Sequence, residues 1–350
     1  MNMKKLLIVG FATVLMCCQP NSPGEESSPD MKEQEKAAYA IAIHGGAGTI
    51  LRENMTAEME AEYRGALKKA LEIGSNILDG GGTALEAVEK TIHYLEDSPL
   101  FNAGKGAVFN NKGENELDAS IMQGIDQNAG AVGGLSTVKH PITAAIAVMN
   151  QSEHVLLTGA GAEEFAREQG IETVDPSYFY TERRWNSLQR ILKEDSGSEL
   201  SESDDPDDKK HGTVGCVALD RSGNIVAGTS TGGMTNKKYN RFGDVPIIGA
   251  GTFANNETVG VSCTGHGEYF IRFSVAHDVH ARMSYLGEGV SEAAEYVINQ
   301  TLVEKGGSGG LIAIDKYGNV SLPFNSAGMY RGYAKPGESY VAIYDDEDMP

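Results

Sequence analysis

The sequence has few of the residues that cross-link a fold or bind polyanions. Its 350 residues include four cysteines and one tryptophan, and 29 Lys and Arg residues stand against 49 Asp and Glu residues. The formal net charge of −20 argues against nucleic acid or an anionic membrane surface as a ligand, because both attract basic proteins. Cys216 and Cys263 lie beyond the N-terminal segment in apolar, strand-like stretches. We therefore expect buried free thiols rather than a disulfide.

The apolar run near the N-terminus, Leu6 to Met16, is too short to span a bilayer. It follows two lysines and precedes Cys18 and a polar stretch, which resembles a bacterial lipoprotein signal. This pattern predicts a signal peptide over 1–18, with Cys18 acylated, and a polar tether over 19–37. An ordinary cleaved secretory signal is the alternative. Either interpretation predicts an exported protein of the periplasm, and in the lipoprotein case the protein would touch a membrane only through an N-terminal lipid.

Much of the acidic excess lies in two short runs. Residues 194–208 hold eight acids and no base, and the tail over 345–348 holds four more. Like charges at this density favour a solvated chain, so we interpret 194–210 as a disordered linker. The tail is interpreted in the same way, and neither run informs us about the folded surface.

Between these runs the pattern predicts an α+β protein. Residues 38–48 alternate as a strand, 56–79 have helical spacing, and Thr83 is placed to cap a second helix. Two strands within 213–230 are joined by a turn at 221–223. Hairpins of this kind favour antiparallel sheets covered by helices over a doubly wound parallel sheet. Further helices are predicted over 177–194, 268–286 and 290–304, and a further hairpin over 311–324.

Three local motifs suggest other functions and fit them poorly. Gly159-x-Gly161 follows a predicted strand, but Glu164 stands where a dinucleotide fingerprint needs a small residue. His277 and His280 have ligand spacing, yet no third ligand stands near them in the sequence. The segment GTSTG, around Ser230, matches a nucleophile elbow, and possible partners Asp244 and His266 follow it. The elbow needs a helix after the serine, whereas the next segment has no helical pattern.

Thr213 stands where the acidic run ends and a strand begins. A threonine hydroxyl needs a base, and no side chain is patterned to supply one locally. If Thr213 became the first residue of a chain, its own α-amine would be that base, with a pKa of about 7.7–8.0. Gly212 would offer an unhindered carbonyl to the attacking hydroxyl. An exposed loop that leads into a strand is the alternative interpretation.

Eight segments complete the pattern of the chain: HGGAG (44–48), LEDSPLFNAGKGAVF (95–109), ELDAS (116–120), GTVGCVALD (212–220), TSTGGMTNK (229–237), RFGDVPIIGAG (241–251), CTGHGEYFIR (263–272) and GGSGGLIAID (306–315). From about residue 38 to 333, and in this order, they resemble the plant-type asparaginase/isoaspartyl peptidase family. These enzymes are N-terminal nucleophile hydrolases, so the resemblance implies an αββα sandwich of two stacked sheets and self-cleavage at Gly212–Thr213. The products would be a large subunit (38–212) and a small subunit (213–350), and no cofactor would be needed for catalysis.

The resemblance also implies roles for single residues. Thr213 would be the nucleophile, Thr231 would hydrogen-bond it, and Thr264 with the N–H of Gly265 would form the oxyanion hole. Arg241 and Asp244 would clasp the α-carboxylate and α-ammonium of an aspartyl substrate. The implied site also includes Gly267 and His266, which would line the pocket, and Asn102, which would lie near the nucleophile.

A structural sodium ion is implied in the loop that carries Asn102. Its ligands would be mainly backbone carbonyls, and Lys105 stands where an apolar residue is more usual. The implied set is Leu95, Glu96, Ser98, Phe101, Ala103 and Lys105.

The expected activity is hydrolysis of the side-chain amide of asparagine and of β-aspartyl peptides, in a dimer of processed heterodimers. TGHG (264–267) also occurs in the related glycosylasparaginases, so glycosylated asparagine is an alternative substrate. Those enzymes usually have Asp where Gly212 stands and lack HGGAG, which favours the isoaspartyl peptidase branch. A membrane-tethered protein that binds amino acids without turnover is the alternative from another class.

Overall fold

The computed structural model describes residues 36–195, 212–347 and 349, and these build two stacked sheets. The eight-stranded sheet has the order β12-β11-β1-β5-β6-β2-β3-β4, and the four-stranded sheet has the order β10-β9-β8-β7. Pairing is antiparallel except between β3 and β4. The strands are β1 (Ala40–Gly48), β2 (Leu117–Gln123), β3 (Ala129–Leu135), β4 (Leu156–Thr158), β5 (Val214–Leu219), β6 (Ile225–Thr231), β7 (Thr252–Ala254), β8 (Val259–Gly265), β9 (Gly309–Asp315), β10 (Val320–Ser321), β11 (Gly328–Lys335) and β12 (Glu338–Tyr344).

Helices cover both outer faces of the paired sheets. The helices are α1 (Ala57–Asp79), α2 (Ala84–Asp97), α3 (Pro141–Gln151), α4 (Gly159–Glu168), α5 (Glu182–Asp195), α6 (Gly267–Phe273), α7 (Val275–Ala281), α8 (Val290–Tyr296) and α9 (Val303–Lys305). Helices α1, α2 and α3 pack on the large sheet, while α7 and α8 pack on the small one. The predicted α+β sandwich is therefore confirmed.

Strand β1 shows how the sequence builds the layers. Ile41 and Ile43 belong to the core beneath α1 and α2, whereas Ala40 and Ala42 belong to the core between the sheets. Successive side chains of a strand point to opposite faces, so a strand with helices on one face and a sheet on the other must be apolar on both. Large residues fill the helix layer, and alanines allow the two sheets to approach.

The predicted cap at Thr83 is confirmed, and Thr56 caps α1 in the same way. The hydroxyl of Thr56 accepts from the N–H of Met59 at 3.2 Å, and that of Thr83 accepts from the N–H of Glu86 at 3.1 Å. Each side chain thereby satisfies an N–H that the first turn of a helix leaves without a partner. The hairpins β5–β6 and β9–β10 also form where the turn residues predicted them.

Several predicted boundaries are wrong. The helix predicted over 268–286 breaks at Ser274, whose φ of 49° separates α6 from α7. Helix α5 continues through Asp195, so the linker predicted from 194 begins too early. The tether predicted to end at residue 37 is also too long, because the N–H of Ala37 donates to the carbonyl of Tyr317 at 2.9 Å. The predicted signal peptide and the remainder of the linker lie outside the described residues.

Glu347, within the acidic tail, is part of the fold, contrary to the interpretation of the tail as a solvated run. Glu347 accepts from the N–H groups of Ile343 and Tyr344 at 2.7 and 3.0 Å, and it pairs with Arg64 on α1 at 2.5 Å. It therefore fastens the end of β12 to the helix layer. Among the helices that the structure describes, none is both long and apolar enough to cross a membrane.

Candidate active site

Thr213 lies at the start of β5, at the centre of the large sheet, and it is 5% exposed. Its hydroxyl donates to that of Thr231, at the end of neighbouring β6, over 3.1 Å. Thr231 Oγ1 donates in turn to the carbonyl of Gly212 at 2.9 Å and accepts from the N–H of Gly233 at 3.0 Å. The two threonine hydroxyls and the carbonyl before Thr213 therefore form one hydrogen-bonded group.

Asn102 holds the same carbonyl from the other side. Its Nδ2 donates to the carbonyls of Gly212 and Gly233, both at 2.8 Å, and its Oδ1 accepts from the N–H of Val108 at 3.0 Å. The fixed amide gives the Gly212 carbonyl its second donor. A Cβ added at Gly212 would lie 2.8 Å from Cβ of Asn102, so this position needs glycine.

The HGGAG segment brings β1 next to Thr213. A bulge between His44 and Gly46 bends the strand, and Gly46 adopts a φ of 118° that favours glycine. A Cβ there would lie 3.2 Å from Cα of Gly212. One residue on, the N–H of Ala47 donates to Thr264 Oγ1 at 3.2 Å. The bulged strand thus links the Thr213 junction to the end of β8.

Thr264 and Gly265 end β8 beside that bulge. Thr264 is fully buried, and its hydroxyl accepts from Ala47, which leaves its own proton to be donated elsewhere. Gly265 has a φ of 150°, and a Cβ there would lie 2.5 Å from the carbonyl oxygen of Ser308. Only glycine fits this turn. Thr264 and Gly265 therefore lie next to the bulged segment that reaches Gly212, and their role as an oxyanion hole stays a prediction.

His44 contacts Thr213 directly, and the sequence reasoning missed it. Its Nδ1 lies 2.9 Å from the carbonyl oxygen of Thr213, and its Nε2 lies 2.9 Å from Ser262 Oγ. Burial lowers the pKa of His44 to about 3, which leaves the ring neutral at physiological pH. A carbonyl oxygen can only accept, so the single proton of the ring is on Nδ1. The His in HGGAG was the available signal.

Asp244 and Arg241 border a space that Gly267 keeps open. A Cβ added at Gly267 would lie 2.9 Å from Asp244 Oδ1 and 3.0 Å from a terminal nitrogen of Arg241. Asp244 Oδ2 is buried and has no hydrogen-bond partner among the described residues. Burial raises the pKa of Asp244 to about 7. A carboxylate with an unused oxygen and a guanidinium at one opening suit a zwitterionic amino acid.

Glu268 is the second residue that the sequence reasoning missed, although it follows TGHG directly. Both of its oxygens accept from Arg241 at 2.8 Å. Burial would raise the pKa of Glu268, but the hydrogen bond and charge of Arg241 outweigh it and hold the pKa at about 2. The predicted pocket residue His266 is 43% exposed at its side chain and lies 3.2 Å from Glu268 Oε2. Glu268 thus fixes the orientation of the guanidinium.

The predicted sodium loop follows α2 and is crowded with carbonyl oxygens. Cβ atoms added at Gly104 and Gly106 would lie 2.3 Å from the oxygen of Glu96 and 1.9 Å from that of Phe101. Glu96 Oε2 is buried without a partner among the described residues, and burial raises the pKa of Glu96 to about 8. The Lys105 ammonium lies 5.1 Å from the centre of the Tyr178 ring, with which it makes a cation–π contact. Buried carbonyls of this kind are ligands that hard cations accept.

The competing motifs do not form sites of their own. Ser230 lies within β6, and its hydroxyl donates to Glu96 at 2.6 Å rather than standing on a turn, so the nucleophile-elbow interpretation is wrong. His280 shares a hydrogen bond with Thr258 at 2.7 Å, and His277 packs edge-on against Phe253. No group of three His, Cys, Asp or Glu side chains placed for a metal occurs in 36–195 or 212–347. Cys216 and Cys263 are buried and free, as predicted.

Comparison with known proteins agrees with this arrangement. The family model described as asparaginase matches residues 37–343. An isoaspartyl peptidase of Escherichia coli is 50% identical over 301 residues, which cover 85% of this chain and 94% of the relative. An isoaspartyl peptidase of Salmonella typhimurium is 49% identical over 305 residues, 85% and 96% of the two chains. An isoaspartyl peptidase/L-asparaginase of Xenopus laevis is 39% identical over 308 residues, 88% and 96%. The match spans both sides of Thr213, and the chain belongs to the asparaginase family.

Proposed function

We propose that the chain is a self-activating threonine amidohydrolase that cleaves the side-chain amide of asparagine and of β-aspartyl peptides. The observation that carries this proposal is the double hydrogen bond of the Gly212 carbonyl. It accepts from Thr231 at 2.9 Å and from Asn102 at 2.8 Å, while the Thr213 hydroxyl lies against Thr231. The names of the relatives point to the same activity.

Self-cleavage begins with attack of Thr213 Oγ1 on the carbonyl carbon of Gly212. The hydroxyl proton passes to Thr231 Oγ1, whose own proton passes to the Gly212 oxygen, so no separate charge forms. Asn102 stabilises that oxygen as the carbon becomes tetrahedral. The C–N bond then breaks, the nitrogen takes up the proton, and an ester remains. Water hydrolyses the ester to a Gly212 carboxylate, a free Thr213 hydroxyl and a free α-amine.

Both fragments stay in one fold after this cleavage. In the large sheet β1 lies between β11 and β5, and β6 lies between β5 and β2. Strands from either side of Thr213 are therefore hydrogen-bonded to each other across the sheet, and separating the fragments would break these ladders.

The new α-amine is the base of the mature enzyme. Its ordinary pKa of about 7.7–8.0 leaves it partly neutral at physiological pH, and it lies on the same residue as the hydroxyl that it deprotonates. Arg241 and Asp244 hold the α-groups of the substrate, so the side-chain carbonyl faces Thr213. Thr264 and the N–H of Gly265 stabilise the oxyanion. Ammonia or a peptide amine leaves, and water releases aspartate from the ester.

Mass spectrometry of the purified wild-type protein tests the proposal. We expect two fragments in equal amounts, the smaller beginning at Thr213 and containing the 138 residues 213–350. Asparagine, a β-aspartyl dipeptide and glycosylated asparagine assayed side by side then rank the substrates. An intact chain that binds aspartate without turnover would indicate the binding protein, and an intact chain that hydrolyses these amides would refute the proposed base.

The sodium ion is proposed as a structural support for Asn102. The residues fit the ion, since carbonyls of Glu96 and Phe101 crowd the loop and the ammonium of Lys105 is engaged by Tyr178. When bound, the sodium ion would supply a positive charge that attracts these carbonyl oxygens and holds the loop in place. Carbonyls of Leu95, Ser98, Ala103 and Lys105 complete the proposed set.

The finer calls on location and assembly are also proposals. The signal over 1–18 would export the protein to the periplasm, with Cys18 as the lipid-modified residue, and two processed heterodimers would form a dimer. Intact mass of the membrane fraction tests the first, because an unmodified N-terminus beyond residue 18 would exclude the lipid. Light scattering of the purified enzyme tests the second.

Asp244 should make kcat/KM fall on the acid side of its pH profile. Because its pKa is raised to about 7, the carboxyl is mostly protonated below that pH and cannot pair with the substrate's α-ammonium. We expect kcat/KM to fall about tenfold per pH unit below pH 7, and more steeply where the Thr213 amine is also protonated. The measurement is the pH profile of kcat and of kcat/KM from pH 5 to 9.

Asp244→Asn is the matched variant for this profile. It should raise KM and remove the part of the acid fall in kcat/KM that Asp244 causes. The part that is caused by protonation of the Thr213 amine should remain in kcat. If the variant keeps the two-group profile of kcat/KM, that part of the acid fall belongs to another residue.

A further inference from the structure

A row of buried hydroxyl groups runs between the two sheets from Thr213 towards the loop of Asp244. Its members come from both sheets, and each is 0% exposed. Four hydroxyl residues and the imidazole at their Thr213 end form the row, which we call the hydroxyl chain; its members are His44, Ser262, Thr229, Thr252 and Ser120. Buried polar groups between apolar sheets need partners, and here they supply one another.

Short contacts connect successive members. His44 Nε2 lies 2.9 Å from Ser262 Oγ, and Ser262 Oγ lies 2.7 Å from Thr229 Oγ1. Thr229 Oγ1 lies 2.5 Å from Thr252 Oγ1, which lies 2.8 Å from Ser120 Oγ. Beyond Ser120, 2.6 Å away, is the carbonyl of the residue that follows Asp244. Every contact is within hydrogen-bonding range.

The proton order at the Thr213 end is fixed. The carbonyl of Thr213 can only accept, so the neutral ring of His44 carries its proton on Nδ1 and must accept at Nε2. Ser262 therefore donates to His44. Its proton is then used, and the contact with Thr229 needs the proton of Thr229. Removal of one hydroxyl would free the ring to take the other tautomer or to turn.

Gly215 leaves the room that this arrangement needs. Gly215 lies on β5, two residues after Thr213, so a side chain at position 215 would point to the same face of the sheet as that of Thr213. A Cβ there would lie 2.0 Å from Ser262 Oγ and 2.2 Å from His44 Nε2. Strand β5 therefore has no side chain at the point where the His44 ring contacts Ser262.

We propose that His44 and the hydroxyl chain are positioning residues that hold the main-chain carbonyl of Thr213, and through it the hydroxyl and the α-amine of the nucleophile. The proposal rests on the proposed role of Thr213. After cleavage Thr213 is joined to the protein by one peptide bond, so a hydrogen bond to its carbonyl restrains the rotation that aims both reactive groups. Before cleavage the same bond restrains one side of the scissile peptide.

The test is Ser262→Ala in the full-length protein. We expect kcat to fall about tenfold or more, because the misplaced nucleophile loses near-attack geometry. KM should stay within about twofold, since Arg241 and Asp244 are untouched and serve ground-state binding. ¹⁵N NMR of labelled histidines gives the direct readout. The His44 signals, identified by their loss in His44→Gln, should report a proton on Nδ1 in the wild type and a mixture of tautomers in Ser262→Ala.

Thr258→Val is the matched control, because it removes a hydroxyl–imidazole hydrogen bond to His280 at the opposite end of β8. It should leave kcat and the His44 signals unchanged. Thr229→Val and Thr229→Ser form a second pair, in which the serine keeps the hydroxyl and should restore most of the activity that the valine loses.

A wild-type kcat and an Nδ1 proton in Ser262→Ala would overturn the inference, and so would an equal loss in Thr258→Val. In either case a fragment that still begins at Thr213 would leave the proposed function intact.

Discussion

Thr213→Ala is expected to leave the protein as one unbroken chain without measurable hydrolysis of β-aspartyl dipeptides. Alanine has no hydroxyl to attack the Gly212 carbonyl, so the scissile bond persists and the α-amine that acts as base is never released. We expect kcat/KM to fall by at least about 10⁴-fold, as it does when a catalytic nucleophile is removed. Intact mass and the rate of aspartate release measure the two effects.

Thr213→Ser separates the chemistry from the fold. Serine keeps the hydroxyl and, once cleaved, the α-amine, but it lacks the methyl group that limits rotation of the threonine side chain. It should cleave itself more slowly and retain partial activity. Before cleavage, both variants should keep the thermal midpoint of the wild-type precursor. Turnover by an intact Thr213→Ala chain would place the nucleophile elsewhere.

Local patterns predicted the parts of the fold that depend on local interactions. Thr83 caps α2 where its position indicated, because a cap is satisfied within four residues. The break at Ser274 could not be predicted, since the N–H groups that follow it, on Ala276 and His277, donate to carbonyls of Ala250 and Gly249 that are distant in the sequence. Glu347 stayed hidden for a similar reason: its partner Arg64 is 283 residues away.

The residues of the candidate site also fall into those that the sequence predicted and those that it missed. Thr213, Thr231, Arg241 and Asp244 were predicted as site residues because family motifs surround them. His44 and Glu268 contact two of these residues, but each acts on another protein group, the Thr213 carbonyl and the Arg241 guanidinium. Such contacts depend on a bulge in β1 and on the start of α6, and no sequence spacing reveals which carbonyl or guanidinium a side chain will meet.

The hydroxyl chain shows most clearly which contacts a sequence pattern cannot predict. Its five members come from five different strands. Seen singly, the four hydroxyl residues resemble ordinary strand threonines and serines, as Thr229 does in TST. Only the stacking of the two sheets brings them together, since residues on facing sheets are related by no local period.

Gly212→Ala should give a folded precursor that fails to cleave itself. The added Cβ would lie 2.8 Å from Cβ of Asn102, closer than two carbon atoms approach, so the peptide before Thr213 must shift. That shift moves the Gly212 carbonyl away from Thr231 and Asn102, and a displacement near 1 Å costs about 10²-fold in rate. We expect half-cleavage to take at least about 10² times longer, measured on denaturing gels after expression.

Gly65→Ala is the matched control, because a Cβ added there would meet nothing within 4 Å on the exposed face of α1. It should cleave as the wild type does and be slightly more stable, since alanine loses less entropy than glycine in a helix. Near-ultraviolet circular dichroism of Gly212→Ala checks that the precursor is folded. A folded Gly212→Ala that cleaves at the wild-type rate would mean that Asn102 does not confine the scissile peptide, and the geometry proposed for self-activation would then be wrong.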